Sequence, residues 1–484
     1  MGVEAPLELD GRRSRFPELL AGIAIAIYVL VVVGATTALL DAGAACHTWP
    51  ACGGEWLVSP GDSIERIVAW GHRVLALAVA GLLLVALGIA WRRGAGGRVT
   101  ASLATVVVLY PVQIALGAVT AVDGATTALA AAHLTVAMAI FAGVLLALLW
   151  QLEDEVREIE GAACGGPTAR PGTDQDAGAP DPVVAGPGST EADPRPGPLP
   201  TVRAYVELTK PKLWWLLCLV ALAAMTLAAG PALDIGTAVA TVVGGILAIG
   251  ASGTFNNVIE RDVDRRMART ADRPVATETV PPLRATAFGI VLAGGSVAVF
   301  VGFVNVLAAA LGVIAILFYS VGYTVLLKPN TTQNIVIGGA VGAFPALIGW
   351  AAVTDTIGLP AIILGGVIFL WTPAHFYNLA LVYRDDYARA GFPMLPVVRG
   401  AAVTRRHVLY YLGATLLGAV ALGATTDLGW AYAAVIVLVG GTFLWAVLRL
   451  FRERTEGAAW RAFHASNAFL GSLLLAVLVD SLVV

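Results

Sequence analysis

The chain is dominated by apolar runs long enough to cross a bilayer. A spanning helix needs about 20 consecutive apolar residues. Runs of this kind fall near residues 17–39, 69–91, 100–121 and 128–150. A second set falls near 213–230, 235–255, 285–304, 306–326, 334–353, 359–382, 407–426, 429–449 and 463–483. Lipid offers the backbone no hydrogen bonds, so each run must satisfy its own as a helix. The fold class follows: an all-α polytopic membrane protein of about 13 transmembrane helices, four followed by nine. With 58% hydrophobic and 13% charged residues and a mean hydropathy of +0.80, a soluble enzyme is excluded. Nothing suggests a nucleic-acid partner; the expected surroundings are the lipid bilayer. The first run is too long for a signal-peptide core and has no small-residue cleavage site after it, so it reads as a retained helix.

Residues 151–202 break the pattern. From Gly161 to Pro200 the chain is rich in Gly, Pro, Ala, Asp and Thr without apolar periodicity, which predicts a disordered linker. Cys164 within it reads as an unpaired thiol. The linker divides a four-helix module, 1–150, from a nine-helix module, 203–484. Positive charge sets the orientation. Arg12, Arg13 and Arg15, then Arg92, Arg93 and Arg98, then Arg203, Lys210 and Lys212 fall in alternate loops. So do Arg261 to Arg273, Lys328, Arg384 and Arg389, and Arg449 to Arg454; Arg66 is the exception. The expectation is a multi-pass protein of the cell membrane with its N-terminus, linker and polar site in the cytoplasm.

The chemistry concentrates in Asn256-Asn257-Val258-Ile259-Glu260-Arg261-Asp262-Val263-Asp264-Arg265-Arg266, at the mouth of a span. On a continuous helix Asn257, Glu260 and Asp264 share one face. Carboxylates with arginines beside them suit a divalent cation and the diphosphate it bridges, because Mg²⁺ takes one or two carboxylates plus substrate phosphates and arginine offers forked donors. A solvated loop that merely orients its helices is the plain alternative. A second acidic cluster, Asp385-Asp386, lies on the same face about 120 residues on. The two read as walls around one metal–diphosphate, with Glu260, Asp264 and Asp386 as metal ligands. Arg261, Arg269, Arg273, Lys328 and Arg384 are the candidate diphosphate ligands.

These segments resemble the haem O synthases, the protohaem IX farnesyltransferases of the UbiA-type intramembrane prenyltransferase family. That family's Asn-x-x-x-Asp-x-x-x-Asp motif falls on Asn256, Glu260 and Asp264, with Glu260 in place of the first Asp. Arg269-Thr270, Arg273-Pro274, Gln333 to Ala340, Asp386-Tyr387 and Pro393-Met394-Leu395-Pro396 fit the haem O synthase pattern. The resemblance implies a nine-helix bundle with a central cavity, farnesyl diphosphate and protohaem IX (haem B) as substrates, and Mg²⁺. It implies Asn256, Asn257, Glu260, Asp264, Asp385 and Asp386 as the catalytic set, with Tyr319, Tyr323, Trp350, Trp371 and Phe376 as candidate cavity lining. The product would be haem O, made for terminal oxidases. His375 lies within a span, where an ionisable group is costly and usually functional, and is a candidate haem ligand.

The first module carries Cys46-His47-Thr48-Trp49-Pro50-Ala51-Cys52 in an outer loop, where Cys46 and Cys52 are a candidate disulfide. His72 and His133 lie at matching depth near the outer leaflet, a pairing that can hold haem through both axial positions. With His72-Arg73 and Gln113-Ile114-Ala115-Leu116-Gly117-Ala118-Val119-Thr120, this module resembles one half of a haem A synthase. That family tends to carry an acid three residues before the first His, where this chain has Ala69. A haem-binding or docking module is therefore expected, with a haem A synthase or terminal-oxidase assembly protein as the implied partner. Two alternatives stay open: a prenyltransferase for a quinone or lipid acceptor, and a membrane haem carrier or cytochrome.

Overall fold

The computed structural model describes residues 15–39, 46, 48–59, 61–124, 126–164 and 198–483. Among them are thirteen helices long and apolar enough to cross a membrane. The first four are α1 (Phe16–Leu39), α2 (Ile64–Arg93), α3 (Gly97–Asp123) and α4 (Thr127–Cys164). A short helix, α5 (Pro198–Leu208), precedes the second set: α6 (Pro211–Ala229), α7 (Ile235–Ile259), α8 (Pro282–Phe303) and α9 (Val306–Leu317). There follow α10 (Ala340–Thr354), α11 (Leu359–Val382), α12 (Gly400–Ala424), α13 (Trp430–Glu453) and α14 (Glu456–Val483). Within the second set α7 packs on α8, α11 on α12, α13 on α14, and α6 on α10.

Two departures from the sequence reading concern the linker. Residues 151–164, expected to be disordered, continue α4 as helix. Gln151 to Glu160 is built of strong helix formers, with Leu152, Val156 and Ile159 at helical spacing. Residues 198–202 likewise belong to α5. The rest of that segment, 165–197, lies outside the described residues, as do Arg12 and Arg13.

The second departure is larger. A linker between modules suggested that they move independently, but they share one core. Helix α1 lies against α12 and α13, and α4 lies against α12. Tyr28 is the centre of this interface. It is sealed from solvent, and its hydroxyl donates to the carbonyl of Ile436 at 2.7 Å. The close approach is possible because position 440 is glycine. A Cβ there would stand 2.8 Å from the Tyr28 hydroxyl and 3.1 Å from Leu416. At one end of the bundle Arg452 pairs with Glu18 at 3.3 Å and Arg406 with Glu153. The Arg452–Glu18 pair is exposed and adds little energy, whereas Arg406–Glu153 is half-buried; both show which ends of the two modules lie on one membrane face. His72, His133 and the Cys46–Cys52 loop stand at the other end.

The interface can be tested with residues 1–164 and 198–484 expressed as separate chains. The halves should co-purify in mild detergent, and Gly440→Val should separate them. Halves that never associate would contradict the shared core.

Candidate active site

The site assembles where α6 begins and α7 ends. Lys210 adopts a left-handed backbone (φ 54°) immediately before Pro211, which opens α6. A residue before proline is restricted, and a non-glycine residue in this region stores strain of the kind found at functional sites. The turn is held by α7: a Cβ on Gly253 would lie 3.0 Å from the Leu208 carbonyl oxygen and 3.3 Å from Lys210 Cγ. The Asn257 amide clamps the same turn, donating to Leu208 at 3.2 Å and Gly253 at 2.8 Å. Lys210 Nζ then reaches the Asn256 side-chain oxygen and the Tyr319 hydroxyl, the latter at 3.0 Å.

Tyr319 comes from a π-helical stretch, Phe318–Leu327, that continues α9. Its bonds span five residues, as in Lys328 N–H to the Tyr323 carbonyl at 2.9 Å. Single π turns inside helices often mark functional sites. Here the wider turn carries Tyr319, Tyr323, Thr324 and Lys328 toward α7. Tyr319 and Tyr323 stack with centroids 5.7 Å apart. Thr324 accepts from the Asn256 amide at 3.0 Å.

Helix α7 breaks at Glu260 (φ −89°, ψ 3°), and a single turn, Arg261–Asp264, follows. The break puts Glu260 and Asp264 into the protein, 5% and 2% exposed. Each has a cation. Lys328 Nζ donates to Glu260 at 2.6 Å. Arg273 forks onto both oxygens of Asp264 at 2.9 and 2.7 Å, and stands 4.0 Å from Glu260. Burial would raise the Glu260 carboxyl, but Lys328, Lys210 and Arg273 outweigh it and hold it below its usual range. Burial presses the Lys210 ammonium down to about 7, helped by the like charge of Arg273 and opposed by Glu260 and Asp264. With Lys210 protonated, three cations face two carboxylates, leaving net positive charge at a largely buried place. Arg269 adds a fourth cation, stacked over Tyr383 at 5.3 Å and Tyr387 at 5.8 Å.

Several expected site residues are placed differently. Asp386 is buried, but both oxygens are engaged. It accepts from the backbone N–H of Ala268 at 2.9 Å and of Arg269 at 3.3 Å, and pairs with Arg389 at 2.6 Å. It clasps the 268–270 loop, with both oxygens engaged as those of Asp264 are by Arg273. Asp385 and Arg384 are exposed. Arg261 pairs at the surface with its neighbour Asp262. Asn257 holds the 208–210 turn, because the break at Glu260 ends the continuous helical register that would have aligned it with the acids. Trp350, at the far end of α10, packs on Gly358. Lys210 was not among the expected ligands; its one signal was a lysine immediately before the proline that starts a span.

Among the described residues no three His, Cys, Asp or Glu side chains converge as a protein-only metal cage. Two neighbouring carboxylates, Glu260 and Asp264, nevertheless fit magnesium, which completes its shell with water and substrate phosphate.

His375, in α11, is sandwiched between Trp371 (centroids 4.3 Å) and Phe463 (4.4 Å), and its Nδ1 lies 2.7 Å from Ser466 Oγ. In the first module Cys46 and Cys52 form a disulfide. Arg73 fastens that loop, donating to the carbonyls of Cys46 and Thr48, each at 2.8 Å. Arg66, the exception to the charge pattern, is bound by Glu55 at 2.7 Å and Asp62 at 2.9 Å. His72 and His133 each fit against a glycine, Gly34 and Gly117, and in each ring Nδ1 is sealed without a hydrogen-bond partner.

Residues 217–473 match the UbiA prenyltransferase family, and residues 4–145 match the family described as cytochrome oxidase assembly protein. The chain belongs to the UbiA prenyltransferase family. It is 54% identical over 473 residues to protoheme IX farnesyltransferase 1 of Natronomonas pharaonis, covering 98% of this chain and all of the relative. A protoheme IX farnesyltransferase of Leifsonia xyli is 45% identical over 284 residues, 58% of this chain and 92% of its own length. Among solved structures, one titled for digeranylgeranylglyceryl phosphate synthase in membranes shares the fold, with a TM-score of 0.51, 16% identity, and coverage of 59% of this chain and all of that one.

The buried pairs make a testable demand on stability. Removing one partner of such a pair leaves an uncompensated charge and costs about 3–5 kcal/mol. Lys328→Met should therefore lower the melting temperature more than the double variant Glu260→Gln/Lys328→Met. Additive losses in thermal unfolding would contradict a direct buried pair.

Proposed function

We propose that this chain transfers a farnesyl group from farnesyl diphosphate to the 2-vinyl group of haem B, with addition of water, to make haem O. The observation that carries the reading is the buried cluster of Lys210, Lys328, Arg273, Glu260 and Asp264. Its net positive charge complements a prenyl diphosphate with one magnesium ion, which is left with about one negative charge. The full-length relative named for this reaction supplies the acceptor. The pattern of positive loops supports a cytoplasmic position for the cluster.

Lys210, Lys328, Arg273 and Arg269 bind diphosphate oxygens, and Asn256 and Tyr319 hold Lys210 in place. Glu260 and Asp264 are the residues that would hold magnesium, which when bound draws charge onto the leaving diphosphate. The bond from farnesyl C1 to oxygen breaks and its electron pair leaves with diphosphate. The terminal vinyl carbon of haem bonds to C1. Water adds to the cation left beside the porphyrin and loses one proton, giving a hydroxyethylfarnesyl side chain. Preorganised cations lower the barrier because they meet the charge where it develops.

A small apolar cavity of about 60 Å³ marks the path along which a prenyl chain would lie once the helices part. It is lined by Leu217, Ala221, Ala248, Ile249, Ala315 and Phe344 and runs among α6, α7, α9 and α10. Ala248 is two helical turns from Asn256, about 12 Å deeper in the membrane. Excluding water here protects the allylic cation until haem captures it.

The amino-terminal module is a second haem site, with His72 and His133 as its ligands. A sealed, unpartnered Nδ1 on each of these half-buried histidines supports this, since buried polar atoms normally have partners; the Nε2 of His133 lies 3.3 Å from the Gln113 amide. The Leifsonia relative is too short to hold both modules, which supports farnesyl transfer by the second module alone. The first module then receives, stores or hands on haem at the opposite membrane face.

In cells expressing the chain, mass spectrometry of extracted pigments should find haem B carrying one added farnesyl and one hydroxyl group. Asp264→Ala should abolish that product while the protein still inserts. Full product from Asp264→Ala, or a prenylated quinone with no prenylated haem, would overturn the reading.

A further inference from the structure

Ser466 of α14 is hydrogen-bonded to one histidine and to the two aromatic residues stacked against it. Its backbone carbonyl accepts from Trp371 Nε1 at 2.9 Å. Its hydroxyl lies 2.6 Å from the carbonyl of Phe463 and 2.7 Å from His375 Nδ1. A serine hydroxyl has one proton to give. The Phe463 carbonyl can only accept, so it takes that proton. Toward His375 the same oxygen must therefore accept, and Nδ1 of His375 must carry a hydrogen. In a neutral ring, Nε2 is then left with a free lone pair. Among the described residues Nε2 has no hydrogen-bond partner.

The ring is also fixed in angle. Trp371 lies nearly parallel on one side (14°) and Phe463 lies against the ring at 29°. Phe376 meets its edge at 6.1 Å. With its faces covered and Nδ1 engaged, His375 presents its Nε2 edge, in the ring plane, where an iron atom binds imidazole. The side chain remains partly open rather than sealed. Its position on α11 is two turns into the membrane from Tyr383, which stacks under Arg269 of the charged cluster. A ligating histidine ordinarily donates its other ring N–H to an acceptor that fixes tautomer and orientation. Ser466 occupies that role.

We infer that Ser466 is a positioning residue for the haem acceptor: it locks His375 in the Nδ1–H tautomer so that Nε2 takes the iron of haem B. This rests on the proposed function only for the identity of the acceptor. The ligand class it requires is a metalloporphyrin with an open axial position. A histidine merely tying α11 to α14 would need no particular tautomer and would leave added haem unaffected.

The test uses the full chain carrying His72→Ala and His133→Ala, so that the first module contributes no bis-histidine signal. Haemin is titrated into the detergent-purified protein and followed by its Soret band and by the ligation-sensitive bands of the ferric form. The starting protein should show single-histidine ligation, and His375→Ala should lose it and regain it with added imidazole. Ser466→Ala should weaken haemin binding about tenfold, the lower end of what loss of an orienting partner costs. Ser466→Thr, which keeps the hydroxyl, should restore it. An unchanged spectrum in His375→Ala would overturn ligation. Normal affinity in Ser466→Ala, with ligation lost in His375→Ala, would overturn the positioning role. Prenylated haem from the unsubstituted chain in cells is scored separately. If it forms while His375→Ala binds haemin normally, this inference fails and the proposed function stands. If none forms, the proposed function itself fails.

Discussion

A charge carried to the edge of a lipid bilayer has to be matched, and the second module is organised around that demand. Glu260 and Asp264 leave water because α7 ends and turns inward at that point. Lys328 is brought to them from a segment 68 residues on and Arg273 from the loop nine residues past Asp264, while Lys210 hydrogen-bonds only neutral groups. The cluster therefore neutralises its own acids and keeps a surplus cation for an anionic ligand. Diphosphate recognition and fold stability draw on the same side chains, so a variant that silences the chemistry will often disturb the bundle as well.

The backbone devices that bring these groups together are local and specific. The left-handed Lys210 aims its side chain back under α6. The small residue at 253 lets the 208–210 turn lie against α7. The π-helical stretch after α9 widens the turn so that Tyr319, Thr324 and Lys328 face one way. Asp386 then closes the wall by capping the backbone of a loop more than a hundred residues away. Each step serves the placement of a few donors at the end of an apolar helix bundle.

Much of this was legible in the sequence. Thirteen spans follow from apolar run length, and a cluster of paired acids and cations follows from acids and arginines packed at a span mouth. The parts that were not legible have physical reasons. Asp386 and Asp264 are both aspartates in motifs, and nothing in the letters says that one would give its oxygens to backbone N–H groups. Asn257 fits the face of an ideal helix, but the helix ends at Glu260. Tyr28 reads as an ordinary membrane-helix aromatic, and only the close approach allowed at position 440 reveals a contact with a second module. The helix at 151–164 was obscured by the Gly- and Pro-rich sequence that follows it. The two modules consequently stand as one body, with the charged cluster at one face and the paired histidines at the other.

We propose that Lys210, when protonated, supplies the surplus cation that makes the cluster a diphosphate site. Binding of a non-hydrolysable farnesyl diphosphate analogue to the purified chain, with magnesium present, tests it directly by calorimetry. The account predicts that Lys210→Met weakens the analogue by about tenfold or more, the order of one lost charge-assisted bond, while the bundle keeps its thermal stability. Unchanged affinity in a folded Lys210→Met protein would contradict it.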